Sequence, residues 1–215
     1  MYYDSPRFYY YWEKIDGASR RKKIRVRTYR RNGRDFSPDI FLEIKRKRDA
    51  VILKDRLSLN KTDIGKNWKL EIGNWKLVDA RSTRVLDEYL FEAKSRCLAP
   101  KVLIVYSREP YVGKYNQNVR ITFDFGIRAK RSDNLFALDG GFADVSGTKV
   151  VMEVKFKGAL PFYIDRILKD FNLSRVPYSK YCLGIEACYS LPLLAMLANK
   201  SQSDSLLLRK GQLVS

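Results

Sequence analysis

The stretch "KKIRVRTYRR", residues 22–31, puts six cations into ten positions, and its reading decides the fold. A disordered basic tail, a nucleic-acid patch and a strand of an anion-binding site are all cationic, but they space their charges differently. Here Ile24, Val26 and Thr28 alternate with Lys23, Arg25, Arg27 and Tyr29. A β-strand would put a β-branched row on one face and a cationic row on the other, so the period of two predicts a strand.

The same alternation recurs outward along the chain. In "FLEIKRK", 41–47, Glu43, Lys45 and Lys47 oppose Leu42 and Ile44, with Arg46 breaking strict amphipathicity. "VILKDRL", 51–57, is a more mixed pattern, with Lys54 and Arg56 against Val51, Leu53 and Asp55. "VRITFDF", 119–125, sets Arg120, Thr122 and Asp124 against Ile121, Phe123 and Phe125. "VMEVKFK", 151–157, sets Glu153, Lys155 and Lys157 against Met152, Val154 and Phe156. "KVLIVYSR", 101–108, reads as a more continuously buried strand ending on Arg108.

Two helices are expected. One runs from Ser82 to Cys97 on Val85, Leu86, Tyr89, Leu90 and Ala93, with Pro100 just beyond its end. The other starts near Pro161, carries Ile164, Ile167, Leu168 and Phe171 on one side, and stops around Asn172. Strands outnumber helices without regular βαβ alternation, which predicts an α+β protein: an antiparallel sheet or barrel with accessory helices. "NWKLEIGNWKLV" repeats Asn-Trp-Lys-Leu at 67–70 and 74–77, two copies that suit a hairpin around Gly73 and are too few for a repeat architecture. "RNGRD" and "LDGG" read as hairpin-type turns, and no domain linker breaks residues 1–215.

The 215 residues, 45% apolar and 13% aromatic, suffice for a substantial core. Forty-two Lys and Arg against 24 Asp and Glu leave a net charge of +18, which predicts a polyanionic partner: nucleic acid, nucleotide, polyphosphate or anionic lipid headgroups. Cys97, Cys182 and Cys188 form no C-x-x-C pair and read as reduced thiols. The absence of histidine excludes a Ser-His-Asp triad, a Cys-His pair, a His-ligated metal and a phosphohistidine. Catalysis must then rest on carboxylates, cations and a metal bound through oxygen. The apolar stretch 187–198 is too short and too interrupted, by Ser190 and Pro192, to span a bilayer, and the start at Tyr2, Tyr3 and Asp4 is unlike a signal peptide. The expectation is a soluble, cytoplasmic protein.

One charged strand face ordinarily points to water. Several such faces rich in Arg and Lys instead suit a closed barrel whose apolar rows pack outward against helices and whose charged rows line a tunnel for a polyanion. Neither G-x-x-x-x-G-K-[ST] nor G-x-G-x-x-G occurs, and "YYYW", 9–12, could stack bases, although aromatic clusters beside apolar strand and turn signals are more often core or rim packing. Glu43 and Glu153, acids among phosphate-binding cations, fit either a Mg²⁺ or Mn²⁺ that takes carboxylate and phosphate oxygens together, or cross-strand salt bridges.

Together "YYDSPRFYYYWEKIDG", 2–17, "RRKKIRVRTY", 20–29, "FLEIKRK", "VILKDR", "YSREPY", 106–111, "VRITFD", "VMEVKF" and "VPYSKY", 176–181, resemble the VTC domain, the vacuolar-transporter-chaperone type of polyphosphate polymerase. That domain is a member of the triphosphate tunnel metalloenzyme, or CYTH-like, superfamily. The resemblance implies an antiparallel β-tunnel over one domain, 1–215, that binds the triphosphate of ATP or another nucleoside triphosphate, or inorganic polyphosphate. At matching positions it implies that Arg25, Arg27, Lys45, Lys54, Arg108, Arg120, Ser179 and Lys180 contact phosphate. Of these, Arg25, Arg27, Lys45, Arg108 and Lys180 would carry catalysis. Glu153, with Glu43 as a second acid, would hold Mn²⁺ or Mg²⁺. The metal and cations would stabilise the transferring γ-phosphoryl while the polyphosphate terminus attacks. It also implies a membrane-protein partner at the cytoplasmic face of a membrane. Against the family's pattern, the strand with an acidic and lysine motif that precedes "YYD" is lacking, so the expected barrel is N-terminally short of a wall. A triphosphatase or polyphosphatase, and a non-catalytic polyphosphate or inositol-phosphate sensor, are the alternatives. A nucleic-acid module rests on charge alone.

Overall fold

The computed structural model describes residues 1–30, 35–59, 80–114 and 117–190. Their strands are β1 (Tyr2–Asp4), β2 (Arg20–Arg27), β3 (Ile40–Arg48), β4 (Val51–Leu59), β5 (Ala99–Val112), β6 (Val119–Lys130), β7 (Ala143–Asp144) and β8 (Val151–Phe156). Four helices accompany them: α1 (Tyr9–Ile15), α2 (Ala80–Arg96), α3 (Phe162–Asp170) and α4 (Lys180–Cys188). The strands form one eight-stranded antiparallel sheet in the order β4-β3-β2-β1-β5-β6, with β7 and β8 both on β6. The α+β expectation holds. Among the described residues the sheet is open, with β4 at one end and β7 and β8 at the other, rather than a closed barrel.

The alternation in β2 and β3 has the predicted consequence. Ile24, Val26, Ile40, Leu42 and Ile44 are all 0% exposed, and each such burial is worth about 2 kcal/mol. They share one core with Val85, Leu86 and Tyr89 of α2, Tyr10 and Tyr11 of α1, and Tyr181 and Ile185 of α4. Helices α1 and α2 therefore cover the apolar face of β2 and β3, and the cationic row of β2 lies on the other. Arg46, which broke the pattern in β3, stands on the helix side and pairs with Glu88 of α2 and Asp55 of β4. Lys22 on the same side pairs with Glu88 at 2.9 Å and Glu92 at 2.6 Å. These pairs fix α2 to the sheet where its apolar stripe ends.

Helix α2 stops where Cys97 adopts a left-handed φ of 51° and the Leu98 N–H returns to the Ala93 carbonyl at 3.1 Å. Helix α3 begins just after Pro161, but its expected apolar side is buried only at Ile164; Ile167 is 47% and Phe171 73% exposed. Two helices have no counterpart in the periodicity. Asp4, 0% exposed, accepts the backbone N–H groups of Ser5 (2.7 Å), Tyr10 (3.0 Å) and Tyr11 (3.0 Å), and so opens α1 from outside it. "YYYW" is that helix, with Tyr10 and Tyr11 buried and Tyr9 41% exposed. Helix α4 starts at Ser179, whose hydroxyl accepts the Cys182 N–H. It lies so close to β5 and β6 that a Cβ at Gly184 would stand 2.8 Å from Ile104 Cδ1. "LDGG" lies in a connection of residues 131–142 between β6 and β7 rather than in a tight hairpin. The Asn-Trp-Lys-Leu repeat, most of "RNGRD" and most of the apolar stretch 187–198 lie outside the described residues. No helix among the described residues is long and apolar enough to cross a membrane.

Candidate functional site

Two buried carboxylates organise the cationic face. The register places Arg25, Glu43 and Arg56 directly opposite one another across β2, β3 and β4. The Glu43 side chain is 1% exposed. Its Oε2 accepts Arg25 Nε at 2.8 Å and lies 2.7 Å from Arg25 Nη2. Its Oε1 lies 2.9 Å from Lys54 Nζ, 2.9 Å from Arg56 Nη2 and 3.7 Å from Arg27 Nη1. Burial opposes ionisation, but the Arg25 charge, hydrogen bonds from Lys54 and Arg25, and the Arg27 charge outweigh it and hold the carboxyl at about 2. Burial in turn lowers the Lys54 ammonium, with Arg25 and Arg56 adding to the effect against Glu43.

The second carboxylate is Asp124 on β6, also 1% exposed. Cross-strand Arg108 of β5 grips it with Nε at 2.5 Å from Oδ1 and Nη2 at 2.7 Å from Oδ2, and Lys180 donates to Oδ2 at 2.5 Å. Burial raises this carboxyl and the two cations more than offset it, so it titrates below its ordinary range. Both cations lie over the Tyr106 ring, at 5.4 and 4.8 Å.

The two clusters meet across β1. Arg25 donates through Nη1 to the Tyr2 hydroxyl at 3.0 Å, and the Tyr2 ring packs 5.1 Å from that of Tyr181. Burial alone would raise the Tyr2 phenol, but Arg25 and Lys23, with Lys180 from the other cluster, bring it below its ordinary value. Lys23 donates to the Ser179 hydroxyl at 2.6 Å, one residue from Lys180. A cleft of about 360 Å³ adjoins this turn, with Lys14, Ser146, Lys149, Tyr178 and Ser179 in its wall.

Of the expected phosphate ligands, the structure thus brings Arg25, Arg27 and Lys54 to Glu43, and Arg108 and Lys180 to Asp124, with Ser179 between. Lys45 is exposed, in register between Lys23 and Lys54. Arg120 is exposed opposite Lys155 and belongs to neither cluster. Arg56, Asp124, Tyr2 and Lys23 belong to the site, although the expected set omits them. Arg56, Asp124 and Lys23 lay in rows whose alternation was visible; nothing local marks Tyr2.

The two candidate metal ligands differ. Glu43 has both oxygens engaged by cations, whereas Glu153 is 45% exposed and among the described residues meets only Lys155 at 3.3 Å and Arg108 at 3.9 Å. Directly opposite Glu153, on β6, Thr122 is 3% exposed and its Oγ1 has no hydrogen-bond partner among the described residues. A buried hydroxyl without a partner asks for one, and here it neighbours an open carboxylate. No group of three or more His, Cys, Asp or Glu among the described residues could hold a metal by itself. Glu153 suits an ion that takes one carboxylate and completes its shell with substrate phosphates and water, the usual habit of Mg²⁺.

A family model described as the VTC domain matches residues 1–189. No curated protein matches the chain.

Proposed function

The chain belongs to the VTC domain family, which carries a polyphosphate-related function, and we propose from that premise that it transfers the γ-phosphoryl of ATP to inorganic polyphosphate. The observation that carries the reading is the pair of buried carboxylates, Glu43 holding Arg25, Arg27, Lys54 and Arg56 within the sheet, and Asp124 holding Arg108 of β5 and Lys180 from the start of α4. A carboxylate that fixes guanidinium groups in advance lets them meet phosphate oxygens without reorganising, the condition under which electrostatic stabilisation is strongest. Arg25, Arg27 and Lys54 then bind and orient one set of phosphates, and Arg108 and Lys180 the other, with Tyr2 between them. Lys45 extends the first set toward open solvent. The Ser179 cleft takes the nucleoside end, since its volume falls within the usual range of ligand pockets.

Phosphoryl transfer needs in-line placement and charge neutralisation more than a side-chain nucleophile, which suits a chain without histidine. The terminal oxygen of the polyphosphate forms a bond to the γ-phosphorus as the bond to the β,γ-bridging oxygen breaks, and ADP leaves. Arg108 and Lys180 stabilise charge on the non-bridging oxygens, and Thr122 donates its free hydroxyl to one of them. Glu153 holds Mn²⁺ or Mg²⁺, which when bound neutralises phosphate charge. Glu43 positions cations and takes no part in holding the ion.

Incubating the protein with ATP and Mn²⁺ and resolving the products tests the reading. Long-chain polyphosphate with stoichiometric ADP is expected. Orthophosphate alone would replace it with a triphosphatase or polyphosphatase, and binding without turnover would replace it with a sensor of polyphosphate or inositol phosphates.

A further inference from the structure

Strands β2 and β3 meet in an arrangement that ordinary sheets avoid. Four successive cross-strand positions pair cation with cation: Arg20 with Arg48, Arg21 with Lys47, Lys22 with Arg46 and Lys23 with Lys45. Like charges directly opposite are destabilising. The Lys22–Arg46 pair is neutralised from α2 and β4 by Glu88, Glu92 and Asp55. Among the described residues no carboxylate meets the others: Lys23 bonds Ser179, Arg21 bonds the Ala18 carbonyl at 3.3 Å, and Lys45, Lys47, Arg20 and Arg48 have no ion-pair partner.

Alternation sorts these positions. Lys23, Lys45, Arg21 and Lys47 continue the face that carries Arg25 and Glu43, one row every second residue, about 7 Å apart. Beyond the Arg25–Glu43–Arg56 row there follow Lys23–Lys45–Lys54 and then Arg21–Lys47, about 14 Å farther along the strands. The first row holds a carboxylate among its cations and the next two hold none. The segments 20–23 and 45–48 contain no aromatic residue, and the ring beneath Lys23, that of Tyr181, is buried, whereas a groove for single-stranded nucleic acid alternates cations with exposed stacking rings.

We propose that the Lys23–Lys45 and Arg21–Lys47 rows are a chain-length subsite, holding the stretch of linear polyphosphate that extends past the phosphates bound at the Arg25–Glu43 row. The polymer then leaves along β2 and β3 toward their Arg20–Arg48 end. This rests on the polyphosphate reading above and adds to it a direction and a preference for chains over a lone triphosphate.

The test compares tripolyphosphate with long-chain polyphosphate in calorimetric titrations of the full chain, wild type against the Arg21→Gln, Lys47→Gln double variant. Long-chain affinity is expected to fall at least about tenfold, the loss of two charge-assisted contacts. Its dependence on log salt should become shallower by about 1.4, or about 0.7 per phosphate contact in a single-stranded polyanion. Tripolyphosphate affinity is expected to stay unchanged, and the variant, relieved of a like-charge pair, to melt no lower than wild type. Equal long-chain affinity in variant and wild type would overturn the subsite while leaving the polyphosphate reading intact. Equal losses for both ligands would merge the rows with the triphosphate site and also overturn it. A wild type that binds neither ligand would fail the underlying reading instead. An oligonucleotide that binds as tightly as the polymer, and loses affinity in the same variant, would reassign the rows to nucleic acid.

Discussion

Replacing Glu43 with glutamine removes the charge around which Arg25, Arg27, Lys54 and Arg56 are arranged while keeping the side chain's size. The carboxyl is lowered from 4.5 to about 2, and the side chain is 1% exposed, so solvent screening is slight. A lowered carboxyl stabilises the folded state above its unfolded pKa, and the contribution is lost as pH falls from 4.5 through about 2. The shift corresponds to about 3 kcal/mol, at the lower end of the roughly 3–5 kcal/mol for removing one partner of a buried ion pair. For a chain of this size the expected loss at pH 7 is about 10 °C in melting temperature. Melting curves of Glu43→Gln and wild type between pH 7 and pH 2 should therefore converge as acid is added. Tripolyphosphate should also raise the melting temperature of the variant more than that of wild type, because an anion takes the place of the missing charge. A variant as stable as wild type at pH 7 would refute the reasoning. A stability difference that persists at pH 2 would show that the carboxyl acts through packing rather than charge.

Glu153→Gln, at a half-exposed position, should change stability by no more than about 0.5 kcal/mol, yet abolish metal-dependent turnover; full activity measured with Mn²⁺ would remove Glu153 from the metal site. Thr122→Val replaces a buried hydroxyl without a partner by a methyl group, so urea unfolding should show equal or slightly greater stability while turnover falls. A clear loss of stability would mean that the hydroxyl already has a structural partner. Tyr181→Phe deletes the hydroxyl that donates to Asp4, whose carboxylate keeps its three backbone donors, and should cost about 1–3 kcal/mol in the same assay.

What the sequence disclosed follows from what has a period. In β2 and β3, alternation marks both faces, and Ile24, Val26, Leu42 and Ile44 are buried as read. Arg25 and Arg27 were legible for the same reason. Glu43 was visible as an acid in a cationic row, but its role depends on the register that sets it between Arg25 and Arg56, and register is not written in one strand. Asp124 stood in a readable row, and its importance appears only when Arg108 and Lys180 arrive from β5 and α4. Helices α1 and α4 escaped because each is short and begins at a cap: α1 on Asp4, ahead of the helix, and α4 on Ser179, which the motif had marked for phosphate instead. The mixed pattern of "VILKDRL" belongs to an edge strand, where Val51, Ile52 and Leu53 are each more than half exposed and no second neighbour among the described residues imposes a face.

Asp4 has a consequence for how the chain folds. Its carboxylate accepts hydrogen bonds from the start of α1 and from the Tyr181 hydroxyl, 177 residues away. Strand β1 has only three residues, yet it lies between β2 and β5 near the middle of the sheet. Contacts so remote in sequence demand loop closure before they return any stability, and they slow folding. During synthesis β1, β2, β3 and β4 can pair as soon as they emerge, whereas β1 gains its second neighbour only with β5, and the Asp4 seam closes only with α4. The joint between the two charged clusters is therefore among the last parts to form, and a nascent chain that stops short of α4 has all eight strands but neither Lys180 on Asp124 nor Tyr181 on Asp4.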